Sequence, residues 1–261
     1  MPVTRRRRRI LHGWRLTALV AAVVVVVAGA VAIPRVVSAA STAAGLRSEV
    51  LPAPVHGTTT VDVAARRVPN TTGVPGVLAW DTQGWPGNAS HPAGSVEHVH
   101  VTGPVRYAVI PPIGGPHNIV WMNAGVYTRP VPTERAVHNL EHGAVWITYR
   151  PDLPQDLVTS LRRFVDRQTM IPEPGRVAGQ ANRYIDLSPW ASDALPAPIV
   201  ISSWGYQLRL QTVDTARLQE FVDTFRHSRR YSPEFHEPVD GQPVSVGGRP
   251  AFDGSAKPNP A

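Results

Sequence analysis

Three side chains able to bind a metal ion or move a proton lie close together in the chain. His138, Glu141 and His142 all fall in the segment VHNLEHG. At about 100° per residue, an α-helix would project all three from one face. Two imidazoles at positions i and i+4, with a carboxylate between them, can hold a divalent metal, and H-x-x-E-H is the inverted zincin pattern. The segment therefore predicts a metal-binding or catalytic site on a short helix.

Histidines nearer the N-terminus can complete such a site. His98 and His100 alternate in EHVHV, so a β-strand would point both rings to one face. His117 follows the turn-rich run PPIGGP, and the chain has no cysteine. Ligands must then be nitrogen and oxygen, which suits zinc or copper(II), and also nickel or non-haem iron. The predicted metal ligands are His117, His138, His142, Glu141 and His98. The competing interpretation is that these histidines cap turns and bond to backbone carbonyls without a metal.

Local patterns predict the elements that position these residues. Apolar and β-branched runs between proline and glycine predict strands at residues 105–110 and 144–149. Residues 182–187, 198–204 and 206–210 resemble three further strands. The histidine helix should begin with Thr133 as its N-cap and end at Gly143. Residues 156–167 and the segment capped by Asp214 each space their apolar residues along one helical face. The predicted fold class is α+β, with a mainly antiparallel sheet and two to three helices.

The N-terminus carries the pattern of a membrane anchor. Residues 5–9 are five consecutive arginines, and residues 16–33 form an uncharged run rich in valine and alanine. Eighteen residues at about 1.5 Å each are just long enough to cross the hydrocarbon core of a bilayer. Arginines before such a run favour a cytoplasmic N-terminus. We therefore predict one N-terminal transmembrane helix, a single-pass protein of the cell membrane, and an extracytoplasmic C-terminal domain.

A cleavable export signal is the alternative to this anchor. The segment VVSAAST offers a small-residue site that a signal peptidase could cut, and Arg7 and Arg8 loosely resemble a twin-arginine signal. The apolar run is longer than a typical signal sequence, and Pro34 and Arg35 interrupt the approach to the cut site. These features favour an uncleaved anchor. In both interpretations the folded part lies outside the cytoplasm.

The distribution of charge argues against nucleic-acid binding. The formal net charge is +7, but seven of the 26 basic residues lie in the first 35 positions, where there is no acidic residue. The remaining 19 basic residues match the 19 acidic residues of the chain. The basic excess therefore reports membrane topology rather than a surface for nucleic acid. Because the chain has no cysteine, an exported domain must be stable without disulfides.

Composition divides the chain into five parts. Residues 1–15 form an arginine-rich cytoplasmic segment, and residues 16–35 form the anchor. Residues 36–90 mix proline, glycine and threonine and are predicted to be a linker, with its last third free to pack on the fold. Residues 91–236 form the extracytoplasmic α+β domain, and residues 237–261 have the composition of a disordered tail.

Several separated blocks resemble one bacterial family, domain of unknown function 3105 (DUF3105). The blocks are PPIGGPHN, WMNAGVY, VHNLEHGAVWITY and ISSWGYQL, and the resemblance covers about residues 97–235. The sequence departs from the family pattern at Gly114, where a serine is usual, and at Ser203, where an alanine is usual. The resemblance implies a short anchor followed by an exported domain. It also implies that His117, Glu141 and the two helix histidines belong to one shared site.

Three functions fit these residues. The first is an envelope domain that binds a divalent metal, zinc or copper, through the histidines and Glu141. The second is a structural or protein-interaction module without a metal, whose partner the sequence does not identify. The third is a metal-dependent hydrolase with Glu141 as the catalytic base, although Gly143 ends the helix earlier than known enzymes of this pattern do. The sequence leaves open whether the protein is an enzyme, and it contains neither a G-x-x-x-x-G-K-[ST] loop nor a G-x-S-x-G elbow.

Overall fold

The structure is a computed structural model that describes residues 59–62, 65–82, 96–173 and 181–242. All of these residues belong to the second of two compact units, Ser48–Ala261. The predicted cytoplasmic segment, the transmembrane anchor and the alternative export signal lie outside the described residues. Within the described ranges, no helix combines the length and the apolar character needed to span a bilayer.

Three helices and twelve short strands make up the described part of the chain. The helices are α1 (Thr133–Glu141), α2 (Gln155–Asp166) and α3 (Thr215–Phe225). The strands are β1 (Thr60–Val61), β2 (Arg67–Val68), β3 (Leu78–Trp80), β4 (His100–Val101), β5 (Val105–Arg106), β6 (His117–Asn118), β7 (Val145–Tyr149), β8 (Ile171–Pro172), β9 (Ala181–Asn182), β10 (Ile185–Pro189), β11 (Ile199–Ser203) and β12 (Tyr206–Leu210). This inventory confirms the α+β class.

Six of these strands form the central sheet, in the order β10-β7-β11-β12-β3-β2. Four of its five pairings are antiparallel, and β10 runs parallel to β7. Parallel neighbours need a crossover connection, and α2 lies in the chain between these two strands. The sheet is therefore mixed. Antiparallel pairings are in the majority, as the sequence predicted.

Alternation along β7 separates two cores on opposite faces of the sheet. Val145 and Ile147 belong to a core that contains the apolar faces of α2 and α3. Trp146 belongs to a second core, with Leu140 of α1 and Trp204. The histidine helix therefore packs on the face of the sheet that α2 and α3 leave uncovered.

Some local predictions were confirmed and others need correction. The strands predicted at 144–149, 198–204 and 206–210 are β7, β11 and β12. Gly205 makes the bend between the last two, with φ of +79°. Asp214 caps α3, since its carboxylate accepts hydrogen bonds from the backbone of Ala216 and Arg217. Thr133, however, is the first residue of α1, and its N-cap is Pro132, which makes no side-chain cap.

Two predicted strands are shorter than expected. The strand predicted at 105–110 reduces to β5, because β5 finds a pairing partner, β1, over two positions. The strand predicted at 182–187 is divided into β9 and β10, because Tyr184 adopts a left-handed conformation with φ of 52°. The β-propensity of its residues indicates that a segment is extended, but a strand forms only where the segment also has a neighbouring strand to pair with.

The folded domain extends beyond the predicted limits of 91–236 at both ends. Strands β2 and β3 lie within the predicted linker but belong to the central sheet. Residues 237–242 lie within the predicted tail, yet Val239 is fully buried and its carbonyl accepts a hydrogen bond from the backbone of Ala124. The disordered-tail prediction is therefore wrong for residues 237–242.

Candidate metal centre

Helix α1 places two of the candidate residues at its buried C-terminal end. His138 and Glu141 are 1% and 0% exposed, and His142 follows as the C-cap. Gly143, in a left-handed conformation with φ of +97°, then turns the chain into β7. A side chain at Gly143 would meet Ser232 and the backbone of His227 at about 3 Å. Because the chain turns sharply at Gly143, the helix ends there and His142 stays next to its last turn.

A two-stranded parallel ladder contributes His100 and His117, and His98 lies just before its first strand. Strands β4 and β6 pair with His100 opposite His117, and the backbone N–H of His117 donates to the carbonyl of Val99. The rings of His98 and His100 lie 5.3 Å apart, on one side of the chain as alternation predicts. His117 is fully buried, whereas His100 is 36% exposed.

The carboxylate of Glu141 lies at the centre of these rings. His117 Nε2 is 3.0 Å from Glu141 Oε2, and His98 Nε2 is in direct contact with Oε1. The Nε2 atoms of His100 and His138 lie 3.7 and 4.0 Å from Oε2. Four histidines thus direct a ring nitrogen towards one buried carboxylate.

A second set of donors adjoins the first. His138 Nε2 and His142 Nε2 are 2.9 Å apart, and His142 Nε2 is 3.5 Å from Glu234 Oε2. The donors form two groups of four residues, each with its ligand atoms within 4.8 Å of one another. The first ligand group is His98, His100, His117 and Glu141, and the second ligand group is His138, Glu141, His142 and Glu234.

Backbone carbonyls orient three of the rings from behind. The Nδ1 atoms of His117, His138 and His142 lie 2.8, 2.6 and 2.7 Å from the carbonyl oxygens of Gly115, Asn118 and Pro238. A carbonyl only accepts hydrogen bonds, so each Nδ1 must carry the proton that it donates. In a neutral ring, Nε2 then presents a lone pair to the cluster. Metal-binding histidines have this same arrangement.

The two contacts of the His117 ring require one more proton than a neutral imidazole carries. Its Nδ1 faces the carbonyl of Gly115 and its Nε2 faces the carboxylate of Glu141, and both partners accept. A neutral imidazole has one proton for these two contacts. Since the lowered pKa of Glu141 keeps its carboxylate ionised, either His117 carries a second proton as an imidazolium, or a metal ion lies between Nε2 and the carboxylate.

The pair His138 and His142 has the same deficit. Two contacts to carbonyls and one contact between the Nε2 atoms require three protons, and two neutral rings supply two. Without an added proton or a metal ion, the lone pairs of the two Nε2 atoms would face each other at 2.9 Å. This contact also needs an additional proton or a metal ion.

The pKa shifts favour, for most of these groups, the protonation states that can bind a metal: an ionised carboxylate and neutral imidazoles. Burial would raise the pKa of the Glu141 carboxyl, but the His100 and His117 rings beside it outweigh burial and hold that pKa well below its usual range. Burial lowers the pKa of His98 from 6.5 to about 4 and holds that of His138 well below its usual range. The neighbouring carboxylate of Glu141 raises the pKa of His100. At neutral pH, Glu141 is therefore ionised, and His98 and His138 are neutral.

The structure brings together every side chain predicted to bind metal, although ligation itself stays a prediction. His98, His117, His138, Glu141 and His142 all belong to the cluster, divided between the two ligand groups. Two members were missing from the predicted set. His100 could have been included from its alternation with His98. Glu234 had no such signal, because it approaches His142 from a loop far along the chain.

Comparison with known proteins gives one match. A family model described as protein of unknown function (DUF3105) matches residues 98–241, which is more than half of the chain. The matched range begins at the first histidine of the cluster and contains all seven residues of both ligand groups. No curated protein and no solved structure gives a significant match.

Proposed function

We infer, since the chain belongs to the DUF3105 family of proteins of unknown function, that its role rests on the histidine cluster: the protein binds a divalent transition metal. The observation that carries this proposal is that, at two contacts, two hydrogen-bond acceptors face each other when the histidines are neutral. These are His117 with Glu141, and His138 with His142. A proton satisfies one such contact, whereas a metal ion coordinates several lone pairs at once.

The donor set selects the class of metal. The cluster offers imidazole nitrogens and carboxylate oxygens, and the chain has no cysteine. Imidazole-rich sites suit zinc and copper(II), and both ions also accept carboxylate oxygen. We therefore propose zinc or copper(II) as the bound ion.

Glu141 fits the role of a ligand better than that of a catalytic base. Its side chain is fully buried, and both of its oxygens face histidine nitrogens. A general base needs a free oxygen within reach of a water molecule or a substrate. The proposed function is therefore metal binding rather than hydrolysis.

The proposal is tested first by elemental analysis of the full-length chain, purified in mild detergent. We expect bound zinc or copper in the wild type and in His236→Ala, because His236 is exposed and belongs to neither ligand group. The double variant His117→Ala, His138→Ala removes one histidine from each group and should lose the metal. A wild-type protein that binds neither ion after dialysis against each would overturn the proposal. It would support the structural or interaction module, with protonated histidines at the two contacts.

Location is the second part of the proposal. We propose that residues 16–35 anchor the protein in the cell membrane and that the metal-binding domain lies outside the cytoplasm. Support comes from the arginines at 5–9 followed by the uncharged run at 16–33. A reporter enzyme fused after Ala261 should be active only outside the cytoplasm, with the protein in the membrane fraction. Recovery of a soluble, N-terminally shortened protein would indicate a cleaved signal instead.

A further inference from the structure

We propose that the cluster is a two-metal centre, with one ion in each ligand group and Glu141 as the ligand that they share. This inference rests on the proposed function and extends it from metal binding to a binuclear site. The ligand class is a pair of divalent transition metal ions.

The number of donors exceeds what one ion can use. A tetrahedral zinc ion takes four ligands, whereas five histidines and two glutamates meet in this cluster. Within the described residues, the donors fall into two groups of four with one residue in common. Each group is already a complete coordination set in number and in type.

Each ligand group has its own need for a cation. In the first group, His117 Nε2 faces Glu141 at 3.0 Å. In the second group, the Nε2 atoms of His138 and His142 face each other at 2.9 Å. These contacts involve different histidines, with no ring in common. At about 2.05 Å per bond to zinc, a separation of 2.9 Å corresponds to two ligands at roughly a right angle around one ion.

Glu141 is placed to join the two ions. Its Oε1 contacts His98, and its Oε2 lies between His117 and His138, 3.0 and 4.0 Å from their Nε2 atoms. Binuclear sites hold their ions about 3.5–4 Å apart, a spacing that a single carboxylate can bridge. The carboxylate is fully buried, so it stays close to both groups.

Each ligand group also has one member that reaches solvent. His100 in the first group is 36% exposed, and Glu234 in the second group is 37% exposed. The other five members are less exposed or fully buried. Each of the two ions would therefore have one ligand of its own at the protein surface.

The test is a metal titration of the full-length chain in detergent, with zinc measured by elemental analysis after equilibrium dialysis. We expect about two zinc ions per chain in the wild type and in His236→Ala. We expect about one in His98→Ala, His100→Ala, which depletes the first group, and about one in His142→Ala, Glu234→Gln, which depletes the second. A wild type that saturates at one ion overturns the binuclear proposal and leaves the proposed function standing. A wild type that binds no ion overturns both.

A measurement on proteins with an intact cluster covers the case in which a depleted variant does not fold. Two copper(II) ions at the spacing of a binuclear site couple magnetically. The electron paramagnetic resonance signal of the first equivalent should therefore lose intensity as the second equivalent binds. A signal that remains that of isolated copper(II) at both loadings overturns the proposal.

Discussion

Removal of the bound metal should lower the free energy of unfolding of the full-length chain by about 4 kcal/mol for each bound ion, when the free metal concentration before chelation is a thousandfold above Kd. The ligands come from three separated parts of the chain: residues 98–117, the end of helix α1, and Glu234. An unfolded chain does not hold these donors together, so the metal binds the folded state selectively and stabilises it.

The measurement is thermal unfolding with and without chelator. Chelator should lower the Tm of the wild type and leave the double variant His117→Ala, His138→Ala unmoved, because that variant lacks the metal. His236→Ala should respond as the wild type does. An unchanged Tm in metal-loaded wild type would show that the histidines support the fold without a metal.

The size of this chelator effect should fall as the pH falls, because protons compete with metal for the ring nitrogens of the folded state. The neighbouring carboxylate of Glu141 raises the pKa of His100 above 6.5, so His100 takes up a proton at higher pH than His98 does. Burial lowers the pKa of His98 to about 4, so this ring remains neutral at pH 5. The chelator effect should therefore shrink as pH falls through the pKa of His100, while His98 keeps its ligand nitrogen free of a proton.

Replacing Glu141 by glutamine should weaken metal binding strongly at both ligand groups. Glutamine keeps the size of the side chain but removes the charge and one of the two acceptor oxygens. Loss of an outer-shell partner alone weakens metal affinity by about 10–100-fold. Loss of a shared, charged ligand should cost at least about 100-fold at each group.

The matched control is Glu134→Gln on the same helix. Glu134 is also buried, but its Oε1 accepts a hydrogen bond from the backbone of Val105 and it belongs to neither ligand group. Competition titration against a chromophoric chelator should give wild-type affinity for Glu134→Gln and a large loss for Glu141→Gln. Equal affinities in the two variants would remove Glu141 from the coordination sphere.

Local sequence was sufficient to place His138, Glu141 and His142 together. Their spacing matches the period of an α-helix, and Gly143 supplies the left-handed residue that ends it. The strands β7, β11 and β12 were also predictable from local sequence, since short segments rich in β-branched and aromatic or alternating apolar residues, bounded by turn residues, favour a strand. The absence of cysteine restricted the ligands to nitrogen and oxygen before any geometry was known.

Pairing and packing between distant segments decided the rest. The register of β4 with β6 sets His100 beside His117, and pairing partners are not encoded in the segment that needs them. Residues 237–242 have a tail-like composition, yet the carbonyl of Pro238 orients His142. Glu234 reaches the second ligand group only because that segment packs back onto helix α1. The sequence by itself determined the helix that carries the H-x-x-E-H motif. Only the tertiary structure, through contacts between residues far apart in the chain, decided that the motif lies between two ligand groups.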